Sequence, residues 1–308
     1  MNRKNIYILF GMLLFTLVAC TKDEKEYIPD VYLSFDPIVV ANTRLADAGA
    51  YPQDQPFSVW AYSLPDGKNW KEDMDQLSPV MENVTVSYAN GEWLPQSSYS
   101  WPKKCGLTFY ACSPENINAT FTLEEGITLK NFDANSAIVP MFTYPVQSDN
   151  RLLSSGCIAL PFVRTLTKLE FAIRTIVTSD SVMILKKLYL DDIAYKGDFQ
   201  SLPDARWFTH NDRMCMEFCD SSMRVNINTS KVGERLVMPQ FVRSSVTAII
   251  DIYDKNGNVI VTDRKISSEP INKALKVGKY YTYTLNLSTR SMTFTTDILD
   301  FYDDNENN

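Results

Sequence analysis

One histidine, His210, limits the catalytic chemistry open to this chain. It lies in Trp207-Phe208-Thr209-His210-Asn211-Asp212, a loop-like stretch, with Cys215 as the nearest nucleophile in sequence. Ser-His-Asp and Cys-His systems need a nucleophile, a base and a group that orients the base. No Gly-x-Ser-x-Gly elbow supplies such a nucleophile. The chain also lacks His-Glu-x-x-His, a Gly-x-x-x-x-Gly-Lys phosphate loop and Gly-x-Gly-x-x-Gly. Asp191-Asp192 is the candidate carboxylate pair, but neighbours in a strand point to opposite faces, which does not suit a glycosidase. The loop around Asp254 and Gly257 faintly suggests calcium. An EF-hand register with Gly257 sixth would put Ile252 first, so the ligands fail. Cys215 and Cys219 are four apart, with no partner pair or histidine cluster to complete a zinc site. The expectation is a protein with no catalytic residues, no metal and no cofactor.

The chemistry the residues do point to is at Cys20. Arg3 and Lys4 precede an apolar run from Ile6 to Val18, which is too short for a comfortable membrane span. The run closes on Leu17-Val18-Ala19-Cys20, and the polar Thr21-Lys22-Asp23-Glu24-Lys25-Glu26 follows. This is the layout of a secretion signal. The Leu-Val-Ala-Cys order resembles a bacterial lipobox, in which the cysteine thiol is acylated and becomes the first mature residue. Lys22-Asp23-Glu24 resembles a surface-export signal of lipoproteins in Gram-negative anaerobes. The expected layout is a signal peptide over 1–19, then a lipidated tether over 20–30. An anchor of more than one acyl chain holds stably in a membrane. Without Cys20, five cysteines remain, an odd number that implies no dense disulfide framework.

The elements that follow are strands. Val31, Leu33 and Phe35 alternate with Tyr32, Ser34 and Asp36. Leu169, Phe171 and Ile173 alternate with polar neighbours, as do Tyr281, Tyr283, Leu285 and Leu287. Period two marks a half-buried strand. Asp254-Lys255-Asn256-Gly257 between two β-branched runs predicts a hairpin, since glycine supplies the positive φ of the turn. No long stretch reads as an amphipathic helix. The length of 308 residues favours two domains. The boundary is placed between a domain over 31–153 and one over 154–308, where Cys157-Ile158-Ala159-Leu160-Pro161-Phe162 opens a new run. Both are expected to be β-sandwiches.

Composition narrows the partners. The formal net charge is −7, which argues against nucleic acid, because counterion release needs a basic surface. Trp60, Trp70, Trp93 and Trp101 fall in the first half with Tyr62, Tyr88, Tyr99 and Tyr110. They could fill a core, or form a stacking platform for glycans.

Several motifs in order resemble the fimbrillin family. They are Asn90-Gly91-Glu92-Trp93-Leu94-Pro95, Tyr99-Ser100-Trp101-Pro102, and Leu107-Thr108-Phe109-Tyr110-Ala111-Cys112-Ser113-Pro114. Ile158-Ala159-Leu160-Pro161-Phe162, Leu166-Thr167-Lys168-Leu169-Glu170-Phe171, Lys196-Gly197-Asp198-Phe199, Val237-Met238-Pro239-Gln240 and Tyr280-Tyr281-Thr282-Tyr283-Thr284-Leu285 follow. Arg164 stands where many relatives carry histidine. The resemblance implies an all-β chain of two tandem transthyretin-like sandwiches, exported to the outer membrane as a lipoprotein and built into a surface fimbria. Its partners would be other fimbrial subunits, the outer membrane through the lipid, and a host or bacterial surface ligand. It further implies a cut by an Arg-specific protease after the first strand, placed between Arg44 and Leu45. The emptied groove would accept a donor strand, for which Met292, Phe294, Ile298, Leu299 and Phe301 near the C-terminus are the candidates. The alternative is a monomeric surface lipoprotein that binds glycans through the aromatics of its first half.

Overall fold

The computed structural model describes residues 30–40, 49–148, 156–176 and 181–300. Cys20, Arg44, Leu45 and Phe301 lie outside these residues, as does the expected boundary at 153/154. Strands are numbered along the chain.

The first sheet contains β1 (Ser34–Val39), β2 (Gly49–Ala50), β3 (Phe57–Pro65), β4 (Ser78–Ala89), β5 (Glu92–Pro95), β6 (Cys105–Ser113), β9 (Met141–Thr143), β10 (Val146–Ser148) and β11 (Cys157–Arg164). Its order is β10-β6-β3-β4-β5-β1-β11-β9, and β9 pairs back onto β6. The hydrogen-bonded path therefore closes on itself, through short pairings at β1–β5 and β6–β9. Closure removes most of the sheet's open edges. Phe57, Phe109, Trp93, Trp101 and Phe162 fill the interior with Leu33, Phe35 and Val39.

Two further sheets face each other in the C-terminal half. One is β18 (Ser230–Val237), β12 (Thr167–Thr175), β23 (Lys279–Leu287) and β24 (Met292–Asp300), in that order. The other runs β16 (Arg213–Glu217), β13 (Val182–Ala194), β20 (Ser245–Tyr253) and β21 (Val259–Pro270), with β17 (Met223–Val225) also on β13. Their inner faces make one core. Leu169, Phe171 and Ile173 come from β12, and Tyr281, Tyr283, Leu285 and Leu287 from β23. These are the residues whose period-two spacing predicted strands. The expected hairpin is β20–β21. The Asp254 carboxylate accepts from the backbone N–H groups of Asn256 and Asn258 at 2.8 Å each. Gly257 sits at φ +85°.

A third element of the design joins the halves. β7 (Thr120–Thr122) and β8 (Gly126–Asp133) pair with β14 (Lys196–Gln200) and β15 (Arg206–Thr209) in one sheet, ordered β15-β14-β8-β7. Its apolar side chains, including Phe199 and Trp207, pack with Trp60, Tyr110 and Phe142 of the first sheet. Phe121 of β7 lies against Trp60, Tyr62 and Tyr110, with ring centroids 5.9, 5.6 and 4.5 Å away. The last pair is β19 (Phe241–Val242) with β22 (Lys273–Ala274).

Two expectations need correction. The run that begins at Cys157 was expected to open the second half. Instead β11 lies parallel to β1, from Ser34 opposite Cys157 to Val39 opposite Phe162. Its apolar residues Ile158, Leu160 and Phe162 complete the first core. Asp191 and Asp192 were expected on opposite faces of a strand. Both are exposed, because the register shifts between Leu190 and Ile193 and Asp192 takes φ +60°. A bulge re-aims side chains in this way.

Candidate functional site

The feature of this fold best suited to a function is the seat of β1. Tyr32 and Asp36 face outward, while Leu33, Phe35, Pro37 and Val39 are buried. The Phe35 ring meets Phe57 and Phe109 edge-on, with centroids 6.3 and 5.9 Å away. Burial of Leu33, Phe35 and Val39 stabilises the seat by about 1.5–3 kcal/mol per side chain. Removing β1 would leave an apolar groove that water fills poorly.

Backbone bonds hold the strand unevenly. On one side the ladder to β11 is continuous over six register pairs. It is extended by Ser34 N–H donating to Gly156 at 3.1 Å and Val40 N–H donating to Phe162 at 2.8 Å. On the other side Phe35 opposite Trp93 is the one register pair with β5. The segment before it is clamped: Leu33 N–H donates to Tyr99 and Trp101 N–H donates to Val31, both at 2.8 Å. Trp101 is itself pinned by its indole N–H donating to the Cys105 carbonyl at 2.9 Å. Gly156 makes the close approach of β11 possible. It sits at φ +63°, and a Cβ there would lie 2.0 Å from the Tyr32 carbonyl oxygen.

Sequence reasoning missed a polar cluster at the far end of the groove. The Tyr51 hydroxyl bonds Ser113 Oγ at 2.5 Å, and Gln55 Nε2 donates to the same oxygen at 2.7 Å. Burial drives the Tyr51 phenol well above its usual pKa. Its ring lies 5.0 Å from Phe162 and 5.2 Å from Trp93. The isolated Tyr51 after a polar stretch gave no sequence signal for this.

The candidate donor residues Met292, Phe294, Ile298 and Leu299 sit on β24, an edge strand of the C-terminal half. β24 is antiparallel to β23 from Leu287 opposite Met292 to Lys279 opposite Asp300. Met292 is buried, and the Phe294 ring lies 5.4 Å from Tyr283. Ile298 and Leu299 are 44% and 58% exposed, so the second half of the strand presents apolar side chains to solvent. The described structure does not bring β24 to β1.

Other candidate residues have structural places. His210 Nε2 lies 3.2 Å from Asp198, which also pairs with Lys130 at 3.4 Å. The backbone N–H of Asn131 leads the effects that hold the Asp198 carboxyl below its usual range. Cys105, Cys112, Cys157, Cys215 and Cys219 are free thiols. Burial pushes the Cys112 thiol up to about 12, and desolvation with nearby Asp191 pushes Cys215 up to about 11. Raised thiols are poor nucleophiles. Among the described residues no group of three or more His, Cys, Asp or Glu side chains could hold a metal. Trp60, Trp93, Trp101 and Tyr110 are buried, which takes half of the eight candidate aromatics away from a sugar-stacking surface, while Tyr62, Trp70 and Tyr99 are half-buried and Tyr88 is exposed.

Comparison with known proteins bears on what such a groove does. A search of curated proteins returns no match. A crystal structure of a fimbrial protein from Bacteroides vulgatus superposes with a TM-score of 0.65 at 15% identity, covering 89% of this chain and 100% of that one. A cell-adhesion structure from Bacteroides ovatus gives 0.51 at 14% identity, covering 90% and 99%. At such identities the likeness speaks for the fold. The sequence profile of the fimbrillin-like family matches residues 43–300. This chain therefore belongs to the fimbrillin-like family, a group of structural, non-enzymatic proteins.

Proposed function

We propose that this protein is a surface fimbrial subunit or accessory subunit, exported as a lipoprotein on Cys20 and assembled by strand exchange. The observation that carries the reading is β1. It is a core strand with a full apolar face, laddered without a break to β11 on one side and only piecewise, to β5 and β2, on the other. Its loss would expose an apolar groove and unpaired backbone groups, and a strand from a neighbour can satisfy both. A cut between Arg44 and Leu45 would separate β1 from the rest of the chain. Ile298 and Leu299 on β24, continuing to Phe301, would supply apolar residues to the next subunit. A head-to-tail contact of this kind does not close, so it makes a filament. The outer-membrane location follows from the lipid, and other subunits are the partners.

We further read the chain as two tandem transthyretin-like sandwiches. In this reading the join falls between Arg164, the last residue of β11, and Thr167, the first of β12, because the two strands belong to different sheets. Electron micrographs of the purified, protease-treated protein test the function. Filaments are expected, and dispersed single particles would contradict it.

A further inference from the structure

A recess of about 370 Å³ opens where the two halves meet, and it has no part in the groove under β1. This volume is within the range of about 300–1,000 Å³ found for small-ligand sites. Four separate pieces of chain build it: the residue after β9, the start of β15, the Pro239-Gln240 turn and the segment between β22 and β23. Arg206, Lys276 and Lys279 line it, and among the described residues no carboxylate does. That is unexpected in a chain of net charge −7. Desolvation, with a contribution from Asp204, raises the Tyr144 phenol above its usual pKa.

The walls are held in place. Gln240 donates to the Ala194 carbonyl and accepts from the Ala194 N–H, both at 2.9 Å. Leu275 N–H donates to the Gln240 carbonyl at 2.8 Å, and Gly278 N–H donates to Leu166 at 3.2 Å. Trp207 is pinned by its indole N–H donating to Thr165 at 2.8 Å. Arg206 lies over the Phe208 ring at 4.8 Å, which limits the conformations its side chain must lose on binding. Tyr144 keeps 38% of its surface exposed at the rim, packed on Phe142 at 5.0 Å.

We propose that this recess binds a saccharide unit that carries a carboxylate, of the hexuronic-acid kind. Cations around the recess match the carboxylate. The open Tyr144 ring and the apolar wall of Pro239 and Val277 match the C–H face of a pyranose. The inference rests on the surface-subunit reading proposed above and adds a ligand to it. It is measured on the dispersed protein, so failure of filament assembly leaves it standing.

The test is calorimetric titration of the full chain with a disaccharide containing glucuronic acid, and with the matching disaccharide of glucose. The acidic sugar is expected to bind about tenfold more tightly than the neutral one, and to weaken as salt rises. Arg206→Gln with Lys276→Gln should cost about tenfold in affinity with the unfolding temperature unchanged. Tyr144→Ala should weaken binding severalfold. Three results would overturn the proposal: no binding of the acidic sugar, equal binding of both sugars, or binding that survives the double substitution. A peptide of consecutive aspartates that binds as tightly, indifferent to Tyr144→Ala, would also overturn it and point to an acidic polypeptide.

Discussion

At the scale of single residues, two positions carry checkable consequences. Gly156 lets β11 run beside β1. Alanine there meets both a positive φ of 63° and a backbone oxygen 2.0 Å from the new Cβ. Gly257 has a similar φ of 85° with nothing within 4 Å, so it isolates the backbone cost. That cost is about 1–2 kcal/mol for a non-glycine residue. Gly156→Ala should therefore lose clearly more than Gly257→Ala, by about 1–3 kcal/mol, since the strands must also part. Urea unfolding measures both, and equal losses would mean that β1 is not held closely at that point. The second position is Glu234 on β18. Lys168 and Lys231 lie 3.0 and 2.6 Å from its carboxylate. Desolvation pushes its pKa up, but hydrogen bonds from Lys231 and Lys168 outweigh it and hold the group below the ordinary glutamate value. A depressed carboxyl contributes stability above its unfolded pKa of about 4.3, and loses it as pH falls through the lower folded value. The side chain is 35% exposed, so solvent screens the effect. Glu234→Gln should cost about 0.5 kcal/mol at pH 7, and the cost should shrink progressively as pH falls below about 4.3. A loss that persists undiminished in acid would show that packing, not charge, is responsible.

At the scale of elements, β24 divides into two halves with different duties. Met292 and Phe294 belong to the C-terminal core, while Ile298 and Leu299 face solvent. Phe294→Ala should destabilise the monomer by about 2–4 kcal/mol, somewhat under the full core penalty because the ring is only partly buried. Ile298→Ser with Leu299→Ser should leave the monomer within about 0.5 kcal/mol of the parent. If β24 supplies the donor, the same pair should suppress polymer formation. Thermal unfolding and native gels separate the two effects, and normal polymerisation of the double variant would remove these residues from the interface. Strand patterning was readable in β1, β12 and β23 because each buries one face, and burial imposes period two. The hairpin at Gly257 was readable because its turn chemistry is local. The placement of β11 was not. Its sequence looks like any buried strand, and its partner β1 lies 123 residues earlier, Ser34 opposite Cys157. The bulge at Asp192 and the sheet shared by β8 and β14 were hidden for the same reason, since pairing between distant segments leaves no mark in a local window. The groove under β1 was half legible. Its strand shows in the alternation of Leu33 and Phe35, while its polar end at Tyr51 and the recess at Arg206 and Lys276 exist only once distant pieces meet.

At the scale of the molecule, the three apolar clusters form a continuous division of labour. One fills the closed first sheet, one fills the C-terminal sandwich, and one sits under the sheet built from both halves. That shared sheet ties the halves together, so the first can lose a strand while the C-terminal core keeps its own. In the proposed function, lipid on Cys20 would keep the chain at the membrane until the first strand is cut away, which would delay assembly until the protein has reached the surface. The central claim is that β1 is a replaceable strand. Mild trypsin treatment of the purified protein, followed by N-terminal sequencing and size analysis, tests it most directly. The account predicts a new terminus at Leu45, departure of the fragment carrying β1, and oligomers that appear as it leaves. A cut at Leu45 that yields only monomers, with the β1 fragment still bound, would contradict it.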